Sequence, residues 1–296
     1  MTLEGRDGLN GALPLVYLKS RLFGKSLVSM PYFNYGGLLA DDETAASHLL
    51  TASLKLQNEV NADYVELRQS EPAPGAWPFK SHKVIMLLPL PSDPEALWGS
   101  FKTKLRTRVR RAEKEGFTVH WGKENLLDDY YSVFAENMRD LGTPVYPKDF
   151  FRAILRAFPD NAHVIAVRSG QQCVAAGFLL SHRDKMEVPW ASSLRRFNHL
   201  SPNMFLYWQM LKQSCLMGFR FFDFGRSTRD SGTYAFKEQW GAAPHPTYWI
   251  YPGKNADDLP DHSPQNAKYQ WATRVWKKLP LPITNLCGPW IVKNIP

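Results

Sequence analysis

Three cysteines, Cys173, Cys215 and Cys287, are all that the 296 residues carry. They are widely spaced, odd in number and never in a C-x-x-C pair. Neither a disulfide framework nor a zinc site is suggested, and a reducing compartment fits. The eight histidines, among them His48, His120, His199 and His245, show no metal-ligand spacing, so no metal is expected. Long apolar runs are lacking: residues 84–90 are too few, and residues 279–292 too broken by proline, to span a bilayer. The opening MTLEGRDGLNGALPL has no basic stretch followed by an apolar one and does not read as a secretory signal. A cytoplasmic protein, soluble or peripheral to the inner face of the cell membrane, is expected. No G-x-S-x-G elbow, P-loop or dinucleotide fingerprint occurs. Acid is also in deficit, 28 Asp and Glu against 36 Lys and Arg, and the net charge of +8 favours a polyanionic partner.

What is present describes a globular chain, 44% hydrophobic and 22% charged, long enough for two domains. Aromatics make up 13% and include ten Trp, which serve packing or, in a sharper alternative, stacking on sugars or bases. The cations are unevenly placed. Lys102, Lys104, Arg106, Arg108, Arg110, Arg111 and Lys114 crowd one stretch against only Glu113 and Glu115, and Arg274, Lys277, Lys278 and Lys293 follow Trp271 with no acid among them. The first group could neutralise nucleic-acid or lipid phosphates, or be a solvated helix face whose stems cover the rim of the core.

Periodicity predicts a hairpin from residues 13–19 and 26–32 around Ser20–Lys25, then a helix with Ala45, Leu49, Ala52, Leu56 and Val60 inward, capped by Asp41 or Asp42. Strands follow at 63–68 and 82–90. From residue 162 the order returns: strands at 163–168, 172–181 and 185–191, a helix at 201–217, and a strand from Phe219. Hairpin, helix, strand occurs twice, which reads as an internal duplication. Between the copies, helices are predicted at 94–115, 126–141 and from Pro147; a last helix at 264–278 leads into a tail. The expected fold is α/β (α+β) with mixed sheets flanked by helices. Its divisions are an N-terminal unit at 1–95, a helical connection at 96–160 and a C-terminal unit with tail at 161–296.

Two stretches could carry chemistry. Ser201 as N-cap and Pro202 as first helical residue leave backbone N–H groups at Asn203 and Met204 exposed, with Arg195 and Arg196 just upstream. That is a phosphate site, or an ordinary capped helix after a basic loop. The second stretch, residues 219–241 (FRFFDFGRSTRDSGTYAFKEQWG), runs as a strand that places Asp223 at its end, breaks at Gly225 into a polar loop, and returns towards the sheet through Tyr234, Phe236, Lys237 and Trp240. Lys237 could stabilise the oxyanion of an acyl-transfer intermediate and Asp223 could accept a proton from an attacking amine, with Tyr234 and Glu238 in reserve as bases. An ion pair that merely holds the loop is the plain alternative.

The runs LRTRVRRAEKEG (105–116), LGTPVYPKDFF (141–151) and above all FDFGRSTRDSGTYAFKEQWGA (222–242) resemble the FemAB-like acyltransferases of the GNAT superfamily, in particular those that accompany exosortase (PEP-CTERM) and exopolysaccharide systems. The likeness covers nearly the whole chain. It implies two GNAT-like domains with a groove between them, the first apparently truncated, beginning inside its first hairpin. Well-studied relatives move an amino acid from aminoacyl-tRNA to an amine on a peptidoglycan precursor; others use acyl-CoA. The donor implied here is therefore acyl-CoA or aminoacyl-tRNA, with no permanently bound cofactor, and the acceptor an amine on a glycan or cell-envelope precursor. The chain lacks both a Gly-rich acetyl-CoA loop and a coiled-coil arm. The family's late Phe-Lys pair falls on Phe236 and Lys237. The expected catalytic set is Lys237, Asp223, Arg226 and Tyr234. Arg195, Arg196, Ser201 and Asn203 are expected at the donor, and Phe236, Trp240, Ser227 and Tyr146 against the substrate. A basic protein that binds glycan, tRNA or an anionic membrane without chemistry is the other class left open, and the tail with Trp290, Ile291 and Val292 could touch such a membrane.

Overall fold

A computed structural model describes residues 1–5, 8–20, 24–260 and 267–295. The ribbon β1 (Thr2–Gly5) and β2 (Gly8–Ala12) leads to the hairpin β3 (Val16–Ser20) and β4 (Gly24–Val28). Then come β5 (Leu39–Ala40), helix α1 (Glu43–Glu59), β6 (Tyr64–Gln69), β7 (Phe79–Lys80) and β8 (Lys83–Pro89). Helices α2 (Pro94–Ser100) and α3 (Thr103–Glu113), strand β9 (Thr118–Gly122), and helices α4 (Leu127–Leu141) and α5 (Lys148–Ala157) follow. Strands β10 (Ala162–Ser169), β11 (Gln172–His182) and β12 (Lys185–Ser193) lead to α6 (Pro202–Leu216) and β13 (Phe221–Thr228). The chain ends in α7 (Gly232–Glu238), β14 (Ala243–Pro246), β15 (Tyr248–Ile250), α8 (Ala267–Trp276) and α9 (Leu281–Val292). The centre of the expected first turn, residues 21–23, and the expected start of the last helix at Pro264 lie outside the described residues.

The sheets explain the duplication. In the five-stranded sheet β3-β4-β6-β15-β7, β3 and β4 are antiparallel and β4 runs parallel to β6; in the seven-stranded sheet β14-β8-β13-β12-β11-β10-β9, β11 and β12 are antiparallel and β12 runs parallel to β13. Both parallel contacts last three residue pairs, Ser26 to Val28 against Tyr64 to Glu66 and Lys185 to Glu187 against Phe221 to Asp223. Glu66 and Asp223 therefore hold equivalent places in two α/β units. The strand that closes each sheet is exchanged: β8, from the first half of the chain, lies on β13, and β15, from the second, lies on β6. Divisions at 95/96 and 160/161 consequently cut through both sheets, because a strand of each unit is completed by the other.

Local chemistry sets the elements. Asp42 caps α1 by accepting the N–H of Ala45, and Ala45, Ala46, Leu49, Leu50 and Ser53 turn inward, while Ala52 stays exposed. The single helix expected over 94–115 is two. Phe101 leaves the helical region to place its ring edge-on to Trp208 and Trp240, and α3 restarts with Leu105, Val109 and Ala112 buried. Gly142, at φ 82°, closes α4 in the left-handed conformation that glycine adopts without strain. The tail is a helix, α9, which buries Thr284, Gly288 and Val292. A Cβ at Gly288 would meet the backbone of Val145 at 2.8 Å, so only glycine permits this contact. No helix among the described residues is long and apolar enough to cross a membrane.

Candidate active site

Strand β13 has two faces. Phe222 and Phe224 enter the large core, where Phe224 stacks on Tyr207 of α6, and Asp223 faces the first unit. Asp223 is thus mid-strand rather than at a strand end, and Arg226, Ser227 and Thr228, expected in a loop, continue the strand. Between Asp223 and Arg226 the pairing with β8 slips by one residue, a bulge centred on Gly225 at φ 74°. Glycine is required there twice over. Its conformation is left-handed, and a Cβ would meet the Asn34 amide nitrogen at 2.6 Å.

Asn34 comes from the loop at residues 29–38, which reaches from the first unit into the second. Its Nδ2 donates to Glu187 Oε1 at 2.6 Å, and its Oδ1 accepts the N–H of Arg226 at 3.2 Å. Next to it, the Tyr35 hydroxyl donates to Asp223 Oδ2 at 2.9 Å, and Lys185 Nζ donates to the same hydroxyl at 3.1 Å. Asp223 Oδ1 accepts the N–H of Gly225 at 2.8 Å. With both oxygens engaged and no exposed surface, Asp223 is a poor candidate to take a proton from a substrate and a good one to fix the bulge. Glu187 is different: the residue is half-buried, Asn34 holds one oxygen, and the other has no hydrogen bond among the described residues. Burial, then the neighbouring Asp223 charge, pushes its carboxyl up to about 7, and burial raises Asp223 as well.

Lys237 lies on helix α7 rather than on a strand returning to the sheet. Ser231 starts this helix by accepting the N–H of Tyr234, which overrides the strand-like alternation of Tyr234, Phe236 and Glu238. The helix aims Lys237 Nζ at the bulge, where it donates to the carbonyls of Gly225 at 3.0 Å and Arg226 at 2.9 Å. An ammonium has three donors, so one remains. Burial lowers its pKa to about 8, with the Asp223 charge working the other way. Beyond Glu187 and Asp223, β12 and β13 no longer pair with each other, and their separation opens the sheet at this point.

The remaining expected residues divide. Tyr146 lines a cavity of about 320 Å³ with Tyr32, Phe150, Trp290 and Lys293. Ser227 is buried beside Arg226, its hydroxyl without a partner among the described residues. Trp240, expected against substrate, is instead fully buried core, edge-on to Phe101; Phe236 packs edge-on against Tyr207, and Tyr234 packs on the same core. Arg195 and Arg196 sit on a 3-10 turn over Arg195–Leu200 and point at acids of α4: Arg196 pairs with Glu136, and Arg195 lies 3.9 Å from Asp140. Ser201 is left-handed, at φ 59°, and its hydroxyl caps nothing; its carbonyl accepts the N–H of Met204 instead. The expected phosphate cradle at Ser201 and Asn203 is therefore filled in part by the protein itself.

Residues 99–238 match the family model of the acetyltransferase (GNAT) domain. Among solved structures the chain is similar to FemX (16% identity, TM-score 0.62, covering 84% of this chain and 87% of that one). It is also similar to the C-terminal domain of a putative lysylphosphatidylglycerol synthetase from Agrobacterium fabrum (14%, 0.63, 87% and 84%) and to L-PGS from Bacillus licheniformis (14%, 0.60, 94% and 89%). At such identities the likeness is one of fold. No curated protein matches the sequence.

Proposed function

We propose, from the match of residues 99–238 to the acetyltransferase (GNAT) domain, that the chain transfers an acyl group from a thioester donor of the acyl-CoA class to an amine on a cell-envelope or exopolysaccharide precursor. The observation that carries this reading is the Lys237 ammonium, held by the carbonyls of Gly225 and Arg226 where β12 and β13 part, with the free oxygen of Glu187 nearby. Glu187, on the strand predicted at 185–191 but not among the residues expected at the site, is the base. It takes a proton as the amine nitrogen forms its bond to the acyl carbon. The third N–H of Lys237 faces the oxyanion, and the C–S bond breaks with the thiolate leaving. Asn34 orients Glu187, and Asp223, Tyr35 and Lys185 hold the bulge as positioning residues. A preorganised donor of this kind contributes about 10² to 10³ in rate.

The test follows thiol release from acyl-CoA donors against a panel of amino sugars and amino-acid amides, with aminoacyl-tRNA as the other donor. Turnover within about threefold of wild type in both Lys237→Ala and Glu187→Gln would sink the assignment. A second reading of the donor rests on α3. Neither its five cations nor Lys102 and Lys114 at its ends form an ion pair among the described residues, and Arg108 reaches Gln239 at the end of the catalytic helix. An aminoacyl-tRNA would use such a face, and transfer from it without thiol release would identify it.

We also place the C-terminal helices against an anionic membrane. Trp271, Val275, Ile283, Leu286, Trp290 and Ile291 are exposed, Arg274, Lys277 and Lys278 fall between them in sequence, and Lys293 Nζ lies over the Trp290 ring.

A further inference from the structure

The two units treat equivalent side chains differently. In the first, Glu66 and Arg68 are two residues apart on one face of β6, and Arg68 Nε donates to Glu66 Oε1 at 2.6 Å; the Tyr251 hydroxyl also donates to Glu66, and Arg68 Nη1 donates to the Pro31 carbonyl, which leaves Nη2 without a hydrogen bond among the described residues. In the second, the bulge adds a residue, so Arg226 stands three from Asp223, and the two do not pair. The Arg226 guanidinium forms no hydrogen bond or ion pair among the described residues, and its Nη1 is buried without a partner. Its contact is the face of Trp249, 5.2 Å from the ring centroid, and Arg68 approaches the same indole to 4.3 Å. Trp249 Nε1 is a second buried donor without an acceptor among the described residues.

Two guanidiniums from different units thus meet at one indole, with unused donors. Burial, then the charge of Arg68, lowers Arg226 to about 10. A buried cation without hydrogen bonds is costly, and such donors are normally satisfied. We infer that Arg226, Trp249 Nε1 and the outer edge of Arg68 form a binding site for an oxyanion, a carboxylate or phosphate carried by the acceptor. The backbone of Arg226 is where Lys237 binds and its side chain points to the first unit, so the anion sits one side-chain length from the reacting centre. The acceptor is then an amine with an acidic group close by. Assigning the anion to the acceptor rests on the acyl-transfer reading; that an anion binds here does not.

The experiment titrates ¹⁵N-labelled protein with inorganic phosphate and separately with malonate, at ionic strength held constant with chloride. The Trp249 indole resonance is identified by its absence in Trp249→Phe. The expected result is that one of the two anions moves this resonance, and that its affinity falls at least about tenfold in Arg226→Gln, the loss of a charge-assisted hydrogen bond. A response to malonate alone identifies a carboxylate acceptor, and one to phosphate alone a phosphorylated one. No movement with either, or equal affinity in Arg226→Gln, overturns the site. Thermal melting in chloride gives an independent reading: Arg226→Met melts no lower than wild type if the guanidinium lacks a partner in the free protein, and a lower melting point refutes that premise. Anion binding without any acyl transfer would keep this site and remove the proposed activity.

Discussion

Replacing Lys237 by methionine separates a catalytic ammonium from a structural one. The side chain keeps its approximate length and loses its charge and two hydrogen bonds, of 3.0 and 2.9 Å. Leaving the carbonyls of Gly225 and Arg226 without a donor costs about 1 to 3 kcal/mol each at most. Against this stands the cost of burying the ammonium. A pKa lowered from 10.5 to about 8 corresponds to about 3 kcal/mol in favour of the neutral form. The sign is fixed by proton binding. Between about 8 and 10.5 the unfolded chain holds the proton that the folded one has lost, so wild-type stability rises with pH there, and below about 8 the full burial cost is present. At pH 7 the two contributions nearly cancel. Lys237→Met should therefore unfold within about 2 kcal/mol of wild type in urea, while kcat falls about 10² to 10³-fold. Wild-type kcat should decline as pH rises through about 8 as the ammonium is lost. Denaturant melts and kcat measured on the same preparations decide it. A stability loss of several kcal/mol with kcat unchanged per folded molecule would refute the catalytic role and leave a structural one.

Glu187→Gln should lose about 10²-fold or more in kcat/KM and abolish the acidic limb of the pH profile near 7. Because the folded pKa is raised, Glu187 makes the wild type lose stability as pH rises from about 4.5 to 7; the variant should lack this part of the slope in urea melts and gain on the wild type above that window. Arg68→Met alone strands the Glu66 carboxylate and should cost about 3 to 5 kcal/mol, most of it recovered in Glu66→Gln/Arg68→Met, read by a double-mutant cycle. Vesicles containing anionic phospholipid should retain the wild type in flotation and release Ile283→Ser/Leu286→Ser/Trp290→Ser, whose changed side chains are all exposed; retention of the variant would remove the membrane contact.

The parts of the fold that repeat locally were readable: α1 from its three-to-four spacing, β8 from its apolar run, and the duplicated order from both. The exchange of strands between the units, and strands β14 and β15 themselves, were not. Strand β15 has three residues, and β14 contains Pro244 and Pro246, which an edge strand tolerates but which argue against a strand in sequence. Helix α9 was hidden by Pro282 and Pro289, and α7 by aromatic alternation that a single Ser231 cap overrides. The site divides in the same way. Asp223, Arg226 and Lys237 lie within fifteen residues and were legible together. Glu187 and the Asn34–Tyr35 pair are joined to them only by the fold, across 153 and 188 residues in the bonds Asn34 to Glu187 and Tyr35 to Asp223. The only local hint was a run of aromatics and asparagine ahead of Gly36 and Gly37.

What distinguishes the working unit from the closed one comes down to Gly225. Along β13 three residues pass from Asp223 to Arg226 while β8 passes two, from Leu87 to Ile85. Deleting Gly225 would leave two against two. The ladder beyond would keep its register, and Asp223 and Arg226 would stand on one face two apart, as Glu66 and Arg68 do. The Arg226 guanidinium would then gain a carboxylate partner, and Lys237 would lose one of its two carbonyls. The expected product is a folded protein, melting within about 5 °C of wild type or above it, without anion binding at Trp249 and without measurable turnover. A deletion variant that still transfers acyl groups at more than about a tenth of the wild-type rate, a change of about 1.4 kcal/mol, would mean that the bulge is not what opens the site.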